Sequence, residues 1–201
     1  MKGKMNLPNK LTVLRLFMVP VIIIVMLLPI NPTLSSILAA AVFGLTALTD
    51  MLDGKIARKH NLITDFGKFL DPLADKFMVI STLLVLVYKF DDEYLRFFCF
   101  ITTLIVIMRE LAVTSIRLVA SSTGGVVVAA NMLGKIKTCM QIAFILSALL
   151  EPVLIGIINN FFALPDYHVL TYTTMLLMTV FTIWSGVNYL KSYWKFLDPE
   201  K

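Results

Sequence analysis

The stretch DMLDGKIARKHNLITDFGKFLDPLADK, residues 50–76, places Asp50 and Asp53 three positions apart and Asp71 and Asp75 four apart. On helices, each pair shares a face. A short KHNLIT connection makes the two helices neighbours, so the two pairs of short-armed carboxylates can converge. Four converging carboxylates repel one another. Two divalent cations remove that repulsion, and an all-oxygen donor set without Cys or His suits Mg2+, Mn2+ or Ca2+ rather than Zn2+. Two such ions side by side form a clamp for in-line displacement at phosphorus. The intervening residues fit the same chemistry. Gly54 lies one turn after Asp50, Ala57 one turn after Asp53 and Gly67 one turn before Asp71, leaving room for a bulky ligand against the backbone. Arg58 can hold a phosphate in bidentate fashion.

The competing explanation is structural. Aspartates favour helix N-termini, and these could pair with Lys55, Arg58, Lys59, Lys68 and Lys76. The Asp71–Pro72 step suits an N-cap followed by proline at the first helical position, or a kink inside a helix. One aspartate is accounted for in this way. Four in this arrangement, beside apolar spans, point to function.

The elements that must position them are apolar. Of 201 residues, 58% are hydrophobic and only 15% charged, against about 25% charged in soluble domains. Mean hydropathy is +0.85. Six spans are expected, roughly Leu11–Ile30, Leu34–Arg58, Thr64–Tyr88, Leu95–Val119, Gly134–Leu154 and Val169–Tyr193. Lipid cannot satisfy exposed backbone groups, and the alternating segments of a barrel are missing, so the spans are helices. The expectation is an all-α, six-transmembrane-helix bundle forming one membrane domain over residues 1–201. The basic leader lacks a small-x-small cleavage site, so the first span is retained. MNLPNKLTVLR reads as interfacial, with Lys10 and Arg15 near lipid phosphates.

Lys2, Lys4, Lys10, Lys55, Arg58, Lys59, Lys68, Arg117, Lys135, Lys137, Lys191 and Lys195 fall on one side, against Lys89 and Arg96 on the other. The positive-inside rule then puts both termini and the aspartates in the cytoplasm. Cys99 and Cys139 lack metal or disulfide spacing and read as packing residues. Tyr189, Tyr193, Trp184 and Trp194 read as an interfacial belt. Gly124 and Gly125 are expected to form a bend, and His60 to be solvated in a basic turn.

Residues 50–75 read D-x-x-D-G-x-x-A-R, eight residues, then G-x-x-x-D-x-x-x-D. This resembles the complete signature of the CDP-alcohol phosphotransferase family, matched at Asp50, Asp53, Gly54, Ala57, Arg58, Gly67, Asp71 and Asp75. The resemblance implies a six-helix membrane fold, a homodimer and a cytosol-facing site with two divalent cations, Mg2+ or Mn2+. It implies that Asp50, Asp53, Asp71 and Asp75 bind metal and that Asp75 also activates the acceptor alcohol. Gly54, Ala57, Arg58 and Gly67 would contact the CDP-lipid.

A second cluster bears on the acceptor. IMRELAVTSIRLVASS places Arg109 and Glu110 inside an apolar run, with Arg117 close to the same helical face as Glu110. Glu110 could simply pair with a neighbouring cation, and Arg117 could reach the interface. Lys135 and Lys137, two apart in LGKIKT, point to opposite faces of a helix, so at most one faces a site. LGK is no Walker loop, because Ala129 stands where that pattern needs glycine. Arg109, Arg117 and Lys135 or Lys137 would form a second anion pocket, implying a phosphorylated acceptor.

NLPNKLTVLRL, GKFLDPLADK and RELAVTSIRL with LGKIKT resemble the family branch that transfers a phosphatidyl group from CDP-diacylglycerol to sn-glycerol 3-phosphate. Asn9, Thr12 and Arg15 would lie near the donor lipid. The expected partners are those two substrates and membrane lipids, without nucleic acid, in a bacterial inner membrane. The same chemistry on inositol phosphate, serine or phosphatidylglycerol is the alternative. A membrane prenyltransferase fits DPLAD but not DMLDG. An ion-coupled transporter would need acids deep in the bilayer, whereas these cluster at one edge.

Overall fold

The computed structural model describes residues 6–59, 64–122, 132–159 and 168–193, excepting the side chains of residues 7–8, 51–59, 65, 68 and 120–122. The described chain forms six helices: α1 (Leu7–Leu27), α2 (Pro32–Lys59), α3 (Asp65–Lys89), α4 (Glu93–Ser122), α5 (Met132–Asn159) and α6 (Val169–Tyr193). Five of them, all but α3, are long and apolar enough to cross a membrane. α3 differs because Asp71, Asp75 and Lys76 crowd its N-terminal half, ahead of an uncharged run over residues 77–88. Gly124, Gly125, His60 and Trp194 lie outside the described residues.

The principal contacts close a ring, α1–α2–α5–α6–α4–α3 and back to α1, with α3 also touching α5 across it. α1 turns a stripe at three- and four-residue spacing toward α2 and α3. Asn9, Thr12 and Arg15 are buried at its start, and Val19, Ile22 and Met26 continue the stripe. Phe43, Leu83, Val106, Phe144, Ile145 and Met178 fill the interior. Phe17, Leu45, Phe69, Met108, Leu118 and Leu176 face outward. An outer surface this apolar is suited to acyl chains, which make no polar demand on it.

Hydroxyls tie the interior together. Ser147 Oγ lies 2.7 Å from Thr174 Oγ1 between α5 and α6, and Ser35 Oγ donates to the Val25 carbonyl at 2.8 Å between α2 and α1. At the end of the bundle away from the aspartates, buried Glu151 on α5 accepts from the backbone nitrogens of Leu170 and Thr171, each at 2.7 Å. It thereby caps α6, satisfying first-turn donors from a neighbouring helix. His168, just before that turn, has a φ of 47°.

Three expectations change. Arg15 is buried rather than interfacial. Tyr189 and Tyr193 are buried inside the bundle, while Trp184 faces outward as a belt residue does. Cys99 is buried, but Cys139 is exposed on α5 and packs nothing in the core.

Candidate active site

α3 begins earlier than the Asp71–Pro72 step suggests. Thr64 is the N-cap, its Oγ1 accepting from Gly67 N at 3.1 Å. Asp71 and Pro72 therefore lie inside the helix, and Pro72 cannot donate to the carbonyl four residues earlier. That start presents Asp71 and Asp75 toward α1. Thr12 Oγ1 donates to Asp71 Oδ1, and Arg15 Nη1 lies 2.6 Å from Asp75 Oδ1 and 2.7 Å from Asp50 Oδ1. Asp50 reaches this point from α2. Thr64 Oγ1 also donates to Asn9 Oδ1 at 2.9 Å, binding the starts of α1 and α3 together.

Gly67 sits in that junction. A Cβ there would come within 3.0 Å of Asn9 Oδ1 and 3.3 Å of Thr64 Oγ1. Its small size is required for the approach of α1 to α3, a packing reason in addition to the ligand contact expected from sequence.

Asp50 and Asp75 thus converge on one cationic nitrogen. Among the described residues, no three Asp, Glu, His or Cys side chains form a ready-made metal site. The side chain of Asp53, like those of Gly54, Ala57 and Arg58, lies outside the described residues. The donors present are hard oxygens, and a guanidinium already stands between two of them. Such a donor set fits a divalent cation of the Mg2+ or Mn2+ type.

A second cluster is built from the C-terminal halves of α4 and α6 and the first turns of α5. Glu110 Oε1 accepts from Arg109 Nη1 at 3.0 Å and from Lys137 Nζ. Arg109 Nη2 donates to Ser185 Oγ at 2.6 Å, and its Cγ would lie 3.2 Å from a Cβ on Gly186. Arg117 Nη2 donates to Tyr189 OH at 2.6 Å, and its guanidinium stands over the Tyr189 ring, 4.9 Å from the centroid. Cations stack favourably on such a ring face. Lys137 is buried while Lys135 is exposed, as two-residue spacing on a helix requires. The clusters meet through α3, where Lys76 Nζ donates to Thr114 Oγ1 on α4.

Residues 5–186 match the CDP-alcohol phosphatidyltransferase family. This chain belongs to that family. Within it, the CDP-diacylglycerol–glycerol-3-phosphate 3-phosphatidyltransferase of Bacillus subtilis is 38% identical, over 96% of this chain and 97% of the relative. Proteins of the same name from Wigglesworthia glossinidia brevipalpis and Pseudomonas fluorescens are 37% and 32% identical, covering 86% and 98% of this chain and 92% and 94% of their own. As a member of this family the chain is an integral membrane enzyme of phospholipid synthesis.

Of the residues singled out from the sequence of this phosphatidyltransferase, Asp50, Asp71 and Asp75 gather around α1, and Arg109 and Lys137 share Glu110. Arg117 joins them through Tyr189, whose ring also lies 5.5 Å from the Arg109 guanidinium. Lys135 stands apart. Sequence reasoning left Asn9, Thr12 and Arg15 at the margin. Their spacing of three, continued by the apolar stripe Val19, Ile22 and Met26, is the signal that places them inward. Ser185 and Tyr189 carry the matching signal on α6, being in register with buried Met175, Met178 and Thr182.

Proposed function

We propose that this chain transfers a phosphatidyl group from CDP-diacylglycerol to sn-glycerol 3-phosphate, releasing CMP and phosphatidylglycerophosphate. The observation that carries this reading is the meeting of two clusters through α3. The carboxylates of α2 and α3, gathered on Arg15, and the cations of α4 and α5, gathered on Glu110, are linked through the contact of Lys76 on α3 with Thr114 on α4. A metal-dependent phosphoryl centre needs the first, and an acceptor that is itself a phosphate needs the second. The relatives' shared name agrees with it.

In this reading Asp50, Asp53, Asp71 and Asp75 hold two divalent cations, Mg2+ or Mn2+. Such cations neutralise pyrophosphate charge and make CMP a better leaving group. Gly54, Ala57, Arg58 and Gly67 border the CDP moiety. Arg109, Arg117 and Lys137 hold the acceptor phosphate, leaving exposed Lys135 outside. The acceptor hydroxyl gives its proton to Asp75 as its oxygen bonds to the lipid-side phosphorus and the bond from that phosphorus to the CMP oxygen breaks. Arg15 orients the Asp75 carboxylate from behind. Acyl chains remain in lipid, and the polar acceptor arrives from the aqueous side. The distribution of Lys and Arg supports a cytoplasmic site and cytoplasmic termini in a bacterial inner membrane. The resemblance to the family supports a homodimer.

The test is CMP release by the purified chain in micelles containing CDP-diacylglycerol and Mg2+, offered separately glycerol 3-phosphate, inositol phosphate, inositol, serine or phosphatidylglycerol. Release with glycerol 3-phosphate, abolished by EDTA, is expected. Release only with another alcohol would overturn the acceptor, and EDTA-resistant release would overturn the metal.

The acceptor pocket has its own test. Arg117→Ala is expected to raise the KM for glycerol 3-phosphate about tenfold, equivalent to about 1.4 kcal/mol, with the KM for the CDP-lipid unchanged. An equal loss for both substrates would make Arg117 a structural partner of Tyr189.

A further inference from the structure

Lys76 follows Asp75 on α3 but faces a different neighbour. Asp75 meets Arg15 on α1, whereas the Lys76 ammonium donates to Thr114 Oγ1 on α4. The Thr114 hydroxyl in turn donates to the Glu110 carbonyl at 2.6 Å. In this position Lys76 is within electrostatic reach of both Glu110 and Lys137. Among the described residues, Lys76, Arg109 and Lys137 thus stand around the one carboxylate of Glu110, two more cations than it balances.

Arg109, Glu110 and Lys137 are largely buried, whereas the Lys76 contact with Thr114 is exposed, so an anion arriving from water meets Lys76 first and offsets the charge of the cations behind it. A phosphate monoester near neutral pH carries close to two negative charges, since its second pKa is about 6. An uncharged polyol brings none, and a zwitterion such as serine brings no net charge. The cluster is thus matched to a dianion. Lys76 adds something that the α4 and α5 cations cannot. It is the chain neighbour of Asp75, with consecutive Cα atoms about 3.8 Å apart. Lys76 leaves the helix toward α4 while Asp75 faces α1, so a phosphate gripped by Lys76 lies to the α4 side of the helix that carries Asp75, on the side of the Arg109 and Lys137 cluster.

We propose that Lys76 completes the acceptor-phosphate subsite from the helix that carries the aspartates, and that it selects phosphorylated alcohols over uncharged ones. This rests on the transfer reaction proposed above.

Two readouts test it on the full chain in micelles. In kinetics, Lys76→Gln is expected to raise the KM for glycerol 3-phosphate about tenfold while the KM for CDP-diacylglycerol moves less than about twofold. Lys76→Arg should restore most of the loss by returning the charge. Thr114→Val keeps the ammonium but removes its anchor, and should raise the same KM about threefold. In binding, millimolar inorganic phosphate or glycerol 3-phosphate should raise the unfolding midpoint of the wild type in EDTA, and that of Lys76→Gln clearly less. Equal increases in both KM values, no rescue by arginine, or an intact phosphate shift in Lys76→Gln would each overturn the proposal. If the wild type uses only an uncharged alcohol, the transfer reading fails, and the midpoint shift still decides whether Lys76 binds phosphate. No shift in the wild type would overturn that too.

Discussion

Asp75→Asn is expected to lower kcat by about 10²–10⁴-fold, the range contributed by a positioned general base, while CDP-lipid binding partly survives. Asparagine keeps the shape of aspartate and still offers Arg15 an acceptor oxygen where Asp75 Oδ1 now lies, 2.6 Å from Nη1. The junction of α1 and α3 should therefore stand. What the amide cannot do is take the acceptor's proton. Because Asp75 is also a proposed metal ligand, the comparison belongs at saturating Mg2+, with CMP release and CDP-lipid binding measured separately. Ordinary turnover in this variant would remove Asp75 as the base.

Arg15→Ala is expected to make the fold depend on metal. The Arg15 side chain is 0% exposed and the carboxylates of Asp50 and Asp75 are 37% and 43% exposed, so the pair interactions are partly screened by solvent. Removing the guanidinium leaves two facing carboxylates and an empty volume in the interior. Loss of one partner from a fully buried pair costs about 3–5 kcal/mol; the exposure of the aspartates reduces this to about 1–3 kcal/mol. In EDTA the unfolding midpoint in detergent should fall by several degrees. Mg2+ should recover more of it than it adds to the wild type, because a divalent cation replaces the missing charge. Equal responses to Mg2+ in both proteins would argue that Arg15 and metal do not share the same carboxylates.

Much of the helix framework is legible in the sequence, because apolar run length is set by bilayer thickness and turn residues interrupt it. Val169–Tyr193 is the same segment in both; α2, α4 and α5 extend a few residues beyond their apolar runs, α1 starts four residues earlier and ends three earlier than its run, and α3 is shifted by one. Hydropathy sees the apolar centre of a helix but not its polar end turns, so the extra residues are those such as Asn9 and Lys10 at the start of α1. The convergence of Asp50, Asp71 and Asp75 is also legible, through i,i+3 and i,i+4 spacing and a short connection.

What hydropathy and depth do not encode is the direction in which a polar residue faces. Arg15 and Tyr189 lie at depths where interfacial residues are common, and depth alone assigns them to lipid headgroups. Their helical register assigns them to the interior. The split between Lys135 and Lys137 was legible for that reason, since two-residue spacing on a helix separates faces whatever the depth. Cys99 and Cys139 show the converse: both lie in apolar helices, and only the packing of neighbouring helices decides which is covered.

The charges on α3 also govern how the chain enters the bilayer during synthesis. A charged residue costs roughly 2.5–3.5 kcal/mol to insert at the centre of a spanning helix, and the N-terminal half of α3 gathers Asp65, Lys68, Asp71, Asp75 and Lys76 toward one end, away from that centre. α1 and α2 leave the ribosome first, bringing Thr12, Arg15 and Asp50 with them. When α3 emerges, Thr12 and Arg15, the partners of Asp71 and Asp75, have already been synthesised. The N-terminal hairpin thus serves as a template for α3, and Lys76 gains its hydroxyl partner only when α4 arrives. The pairings that shape the catalytic end thus become available in the order in which their helices are synthesised.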